Sequence, residues 1–176
     1  MGPNADAAQI RELMDAGHEI GCHTFSHLNC GAAPAGLATG DAENNRQALA
    51  ALGAPEPVSF AYPYGEVSGP AKAALGDRFA LLRALHHGLI RQGSDLNQAP
   101  AVGIEGPGGE AVAHRWLQRA LHERAWLILY THDVRGDPSP YGCTPAALER
   151  LVDAAQAGGA EVVTVAEGCR RVGVIA

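Results

Sequence analysis

Helix-like and strand-like segments alternate along these 176 residues with no internal repeat and no long linker, and that alternation narrows the fold most. Strands separated by helices pair in parallel, which gives α/β architecture built on a mainly parallel sheet. Residues 5–16 carry Ile10, Leu13 and Met14 on one helical stripe and stop at Gly17. A short strand over 18–22 follows, then a helix over 41–52 with Asp41 as N-cap and Gly53 as stop. Residues 58–62 read as a strand running into the turn Pro63-Tyr64-Gly65, and 68–75 as a helix capped by Ser68 with Pro70 in its first turn. A strand over 79–82 precedes an irregular stretch over 86–107, rich in Gly and Pro. A helix over 110–124 carries Val112, Trp116 and Ala120 on one face, and the apolar run 126–130 reads as a buried strand. Thr144 and Pro145 open a helix whose Leu148, Leu151, Val152 and Ala155 face the core, and 161–165 is expected to be the last strand.

This length suits a single domain over 1–176. With 47% hydrophobic and 18% charged residues the chain is globular. A formal charge of −6 argues against a nucleic-acid partner, whose phosphates require a basic face. No apolar run approaches the roughly 20 residues that span a bilayer, and the first residues lack the pattern of a secretory signal. As written the chain reads as cytoplasmic, with secretion of a longer natural form left open, and its Ala- and Gly-rich composition suggests a bacterial source. Cys22, Cys30, Cys143 and Cys169 match no zinc knuckle and no C-x-x-C pair, and are expected as buried reduced thiols.

Three motifs sit just after strands: His23 to His27, Tyr62 to Gly65, and Thr131 to Asp133. In parallel α/β folds the C-terminal strand ends gather on one rim, where sites are built. Histidines four apart on one helical turn can reach one ion, and imidazole suits zinc, cobalt, iron or nickel; two polar histidines in a surface turn share the same pattern. Tyr62-Pro63-Tyr64-Gly65 is either an ordinary turn or a rigid one that offers a backbone N–H and an aromatic wall to substrate. His132, at the exit of the run that contains Leu129, can act as a general acid beside a small apolar pocket, or simply close a strand end.

Taken together, His23-Thr24-x-x-His27, Pro63-Tyr64-Gly65 and Leu129-x-x-His132, with Asp15-Ala16-Gly17-His18-Glu19-Ile20-Gly21 upstream, resemble the polysaccharide deacetylases, the chitooligosaccharide-deacetylase homology domain of carbohydrate esterase family 4. The resemblance runs from about Ala8 to Val165. It implies a distorted (β/α) barrel that removes N- or O-linked acetyl groups from an acetylated carbohydrate. It also implies His23 and His27 as ligands of a divalent metal, Zn2+ first, with Co2+, Ni2+ or another transition metal as alternatives. Tyr64 would supply an oxyanion N–H, and His132 the proton for the leaving group. Tyr62, Pro63, Tyr64, Gly65 and Leu129 would line the substrate site, Thr24 and Ser26 would orient the ligands, and Asp95 would polarise His132.

The family's first motif, Thr-Phe-Asp-Asp-Gly, supplies a third ligand and the general base, and no such strand precedes His23 here. The barrel is therefore expected to be incomplete at its N-terminus. Its catalysis is then weak, since loss of a base removes roughly 10²–10⁴ in rate. An open sheet edge would favour a homo-oligomer. The alternative is a non-catalytic carbohydrate- or partner-binding relative.

Overall fold

The computed structural model describes residues 5–175. The fold is mixed α/β with its strands paired in parallel, and the chain divides into two compact units.

The first unit holds the described residues up to 84 together with 95–99 and 164–175. Helix α1 (Ala7–Asp15) starts at a reciprocal cap: the Asp6 carboxylate accepts from the Ala8 and Gln9 N–H groups, and the Gln9 side chain accepts from the Asp6 N–H. Its Ile10, Leu13 and Met14 stripe is present, but none of its residues is fully buried. Helix α2 (Ala35–Ala51) begins after Pro34, two turns earlier than the Asp41 cap suggested. Asp41 is a helix-interior residue whose carboxylate bonds Ser26, so the polar side chain marks a partner across the fold and not a helix start.

Strand β1 (Ser59–Ala61) pairs in parallel with β2 (Leu81–Arg83), and between them lies α3 (Gly69–Gly76), capped by Ser68 as expected. The strand expected over 18–22 contributes only one parallel bridge, Cys22 to Phe60. A Cβ at Gly21 would stand 2.8 Å from the Ser59 hydroxyl oxygen, so glycine permits this close approach. The core packs Phe60, Tyr62, Leu75 and Leu82 with Cys22, Cys30, Ala38, Ala42 and Ala71. Of the strand expected over 161–165, residues 161–164 carry no regular structure and Val165 opens helix α4 (Val165–Arg171) in this unit's tail. Its start is written in Thr164-Val165-Ala166-Glu167: the Thr164 hydroxyl accepts from the Glu167 N–H. The Glu19 carboxylate holds the same region, accepting from the Ser59 hydroxyl at 2.6 Å and the Ala166 N–H at 2.7 Å.

The second unit holds residues 85–94 and 100–163. Strand β3 (Val102–Gly103), inside the stretch read as irregular, pairs in parallel with β4 (Leu129–Tyr130). The expected strand over 126–130 is ladder-paired only at its end; Trp126 makes an antiparallel bridge to Ile90. The helix Gly109–Glu123 buries Ala113, Leu117 and Ala120, a face one residue round from the Val112 and Trp116 stripe. The helix Pro145–Ala157, capped by Thr144, buries Ala147, Leu151 and Ala155 against it.

Candidate metal and acyl-transfer site

Within the first unit, the segment 22–30 is a loop and not a helical turn. The two histidines nevertheless meet, with ring centroids 4.9 Å apart at an interplanar angle of 74°. They meet because Thr24 (φ 60°) and His27 (φ 57°) both adopt the left-handed backbone conformation, which folds the loop back on itself. Thr24 is buried, and its hydroxyl accepts from the Leu28 N–H at 2.9 Å; Ser26 donates both N–H and hydroxyl to Asp41.

His23 Nδ1 lies 2.6 Å from the Ala61 carbonyl oxygen. A carbonyl only accepts, so Nδ1 carries the proton and Nε2 the lone pair, the arrangement of an imidazole ligand oriented by an outer partner. The spacing fits too. Zn–N bonds of about 2.1 Å, plus about 1.1 Å from nitrogen to ring centre, put two tetrahedrally disposed ligand rings about 5 Å apart. Both the donor chemistry and the spacing of His23 and His27 thus suit one divalent ion. Among the described residues no group of three or more His, Cys, Asp or Glu side chains is placed to hold an ion, so the pair is what this loop offers.

The second motif joins the first. Tyr64, itself left-handed (φ 59°), packs its ring edge-on against His27 at 4.6 Å and is 60% exposed. The turn is closed by Gly65 N–H to Tyr62 O at 2.9 Å and by Glu66 N–H to Pro63 O at 3.2 Å. Tyr62 and Pro63, expected to line the substrate site, are core residues. Tyr62 is 1% exposed and its hydroxyl donates to the Asn97 carbonyl at 2.9 Å; burial pushes its phenol pKa well up. Asp95 is an exposed carboxylate that accepts from the Asn97 N–H at 3.0 Å and ion-pairs with Lys72.

His132 and Leu129 belong to the second unit. The carboxylate beside His132 is Glu105, 3.3 Å from Nδ1, with the Tyr141 carbonyl 3.2 Å from the same nitrogen. The Tyr141 carbonyl can only accept, so it places the proton on Nδ1 and leaves Nε2 as the lone pair of a ring that is 43% exposed; Glu105 Oε2 is buried at ion-pair distance from Nδ1 and makes no hydrogen bond. The Tyr130 hydroxyl reaches the other Glu105 oxygen at 3.3 Å, and a Cβ at Gly103 would come within 3.0 Å of that tyrosine ring. Sequence reading missed Glu105. The available signal was its position just after Val102-Gly103-Ile104, a strand exit hidden in a Gly- and Pro-rich stretch. Leu129 is partly buried against the unit's own core.

The family model described as polysaccharide deacetylase matches residues 1–77, which include His23, His27 and the Pro63-Tyr64-Gly65 turn. A search of curated proteins gives no match. Among solved structures, a putative polysaccharide deacetylase from Mycobacterium smegmatis aligns at TM-score 0.63 and 14% identity, over 94% of this chain and 66% of that one. A Streptococcus pyogenes deacetylase in complex with acetate aligns at 0.52 and 17%, over 56% and 44%. A mutant of a CE4 family pseudoenzyme with restored enzymatic activity aligns at 0.56 and 13%, over 92% and 51%. In sequence over its first 77 residues, and in fold over most of its length, the chain resembles the polysaccharide deacetylases. It spans less than two thirds of the length of each of these three solved chains.

Proposed function

We propose that this chain is a metal-dependent carbohydrate deacetylase, removing N- or O-linked acetyl groups, with His23 and His27 as the ligands of a zinc-class ion. The observation that carries this reading is the pair of imidazoles 4.9 Å apart, one of them fixed by the Ala61 carbonyl in the tautomer a metal requires. When bound, the ion supplies Lewis-acid polarisation of the acyl carbonyl and lowers the pKa of water towards 7. The chain's own residues do the rest. The Tyr64 backbone N–H donates to the developing oxyanion. We assign His132 the role of proton donor to the departing amine or alcohol: with Nδ1–H turned to the Tyr141 carbonyl, its Nε2 must first take up a proton, and the imidazolium so formed gives that proton to the leaving group and returns to the neutral ring. We assign the general base to none of the residues described above, and on that reading we expect slow turnover.

A specific observation favours a second reading, a non-catalytic carbohydrate-binding relative: no third ligand side chain accompanies the histidine pair among the described residues. One experiment separates the two. Zinc content is measured for the parent and for His23→Ala and His27→Ala, and acetate release from acetylated glucosamine oligomers is followed with added Zn2+ or Co2+. The enzyme reading expects metal that both substitutions remove, and turnover at least about 100-fold below a complete homologue yet above that of His132→Asn. Metal retained by both substitutions would overturn the ligand assignment. Sugar binding with no acetate release above the His132→Asn background would establish the second reading.

A further inference from the structure

The loop that presents the histidines is held from outside by one face of α2, and that clamp has a functional consequence. Among the described residues, the non-glycine positions with left-handed φ are Thr24, His27, Tyr64 and Arg124, and the first three meet at this site. Such conformations persist only where the surroundings over-determine them. The ties are specific. The Cys22 N–H donates to the Ser59 carbonyl, fixing the loop's start on the sheet. The His23 N–H donates to Asn45 Oδ1 at 3.3 Å. The Phe25 N–H donates to the Asp41 carbonyl at 3.2 Å. Ser26, between the two left-handed residues, donates its N–H at 2.9 Å and its hydroxyl at 3.0 Å to a single oxygen, Asp41 Oδ2. Asp41 and Asn45 are one helical turn apart on α2, so one helix face grips the loop at both histidine ends.

We propose that Asp41, aided by Asn45, is a positioning residue: by anchoring Ser26 it holds His27 in the left-handed conformation and so keeps the two imidazoles converged. The metal consequence rests on the ligand reading above; the conformational claim does not. Because one oxygen accepts both Ser26 bonds, Asp41→Asn can keep the clamp through its amide oxygen, whereas Asp41→Ala removes it.

The test compares parent, Asp41→Ala and Asp41→Asn. Co2+ affinity is measured by ligand-field absorption and Zn2+ affinity by calorimetry. In the metal-free proteins, amide hydrogen exchange at Ser26 and the HN–Hα coupling of His27 are read by NMR. Asp41→Ala is expected to weaken metal binding by about 10- to 100-fold, the range for loss of an outer partner. It should also lose protection at Ser26 and shift the His27 coupling away from its left-handed value. Asp41→Asn is expected to stay within about threefold of the parent on metal and to keep both NMR signatures. Asp41→Ala binding within twofold of the parent overturns the proposal. So does Asp41→Asn falling as far as Asp41→Ala, since charge and not anchorage would then be responsible. A parent that binds neither ion sinks the ligand reading alone. The metal-free NMR data then decide the clamp: lost Ser26 protection in Asp41→Ala supports it, and unchanged protection overturns it.

Discussion

Replacing Tyr62 by Phe separates two roles for the aromatic residue that opens the Pro-Tyr-Gly turn. As a substrate wall it would affect sugar affinity and leave stability alone; as a core residue it would do the reverse. Its 1% exposure and its hydroxyl bond to the Asn97 carbonyl support the core role. The substitution keeps the ring and removes one buried hydrogen bond, worth about 1 kcal/mol net, with a further cost for a carbonyl left without its donor. Asn97 is half-buried, so water partly replaces the hydroxyl, and about 1–2 kcal/mol is the expected loss. For a chain of this size that lowers Tm by about 2–8 °C. There is also an alkaline signature. Burial, with smaller contributions from the Cys30 and Asp95 charges, raises the folded phenol above its unfolded value near 10. The stability it confers is therefore complete below about pH 10 and is lost as pH climbs through the folded value. Denaturant titrations at pH 7, 9, 10 and 11 should show the gap between parent and Tyr62→Phe narrowing above pH 10. A Tm within 1 °C of the parent, combined with weakened sugar binding, would refute the reasoning.

Two further outcomes follow from the same geometry. Cys22, Cys30, Cys143 and Cys169 are all buried, and burial pushes the Cys22 thiol up to about 11. An aromatic disulfide reagent at pH 8 should accordingly label almost no thiol in the native protein and all four after denaturation; rapid native labelling of Cys22 would contradict its placement. Glu105→Ala removes the negative charge 3.3 Å from His132 Nδ1 and keeps the Tyr141 carbonyl that accepts from it. Nitrogen-15 spectra of the imidazole should change from a dominant Nδ1–H tautomer to a mixture, and an unchanged spectrum would show that Tyr141 alone orients the ring.

The parts of the fold that could be read from sequence are those decided locally. Ser68 with Pro70, and Thr144 with Pro145, cap helices where expected, because a side-chain oxygen two or three residues before free N–H groups acts within one turn. The misreadings occur where a local signal had a distant partner. Asp41 looks like a helix start because aspartate usually is one; it is spent on Ser26, fifteen residues away. Residues 161–165 read as a strand from Val162, Val163 and Val165, yet Thr164 and Glu167 form the start of a helix that Glu19 also ties down through Ala166. β-Branched content alone reports a half-buried surface and not a backbone state.

The site was legible in composition and not in conformation. Spacing four apart brought His23 and His27 together on paper through a helical turn; the loop achieves the same meeting through left-handed residues that periodicity cannot reveal. Left-handed conformations at Thr, His and Tyr each cost about 1–2 kcal/mol relative to the ordinary regions, and glycine would relieve that cost. Sequence reasoning looks for glycine at such turns and finds it only at Gly65. That bulky residues are kept at 24, 27 and 64 is itself informative, because each contributes something glycine lacks. Thr24 contributes the hydroxyl that accepts from Leu28, His27 an imidazole, and Tyr64 the ring that packs against it. Strain gathered where side chains converge, and held by one face of a neighbouring helix, is what a preorganised binding loop requires; a surface turn carrying two incidental histidines has no need of it.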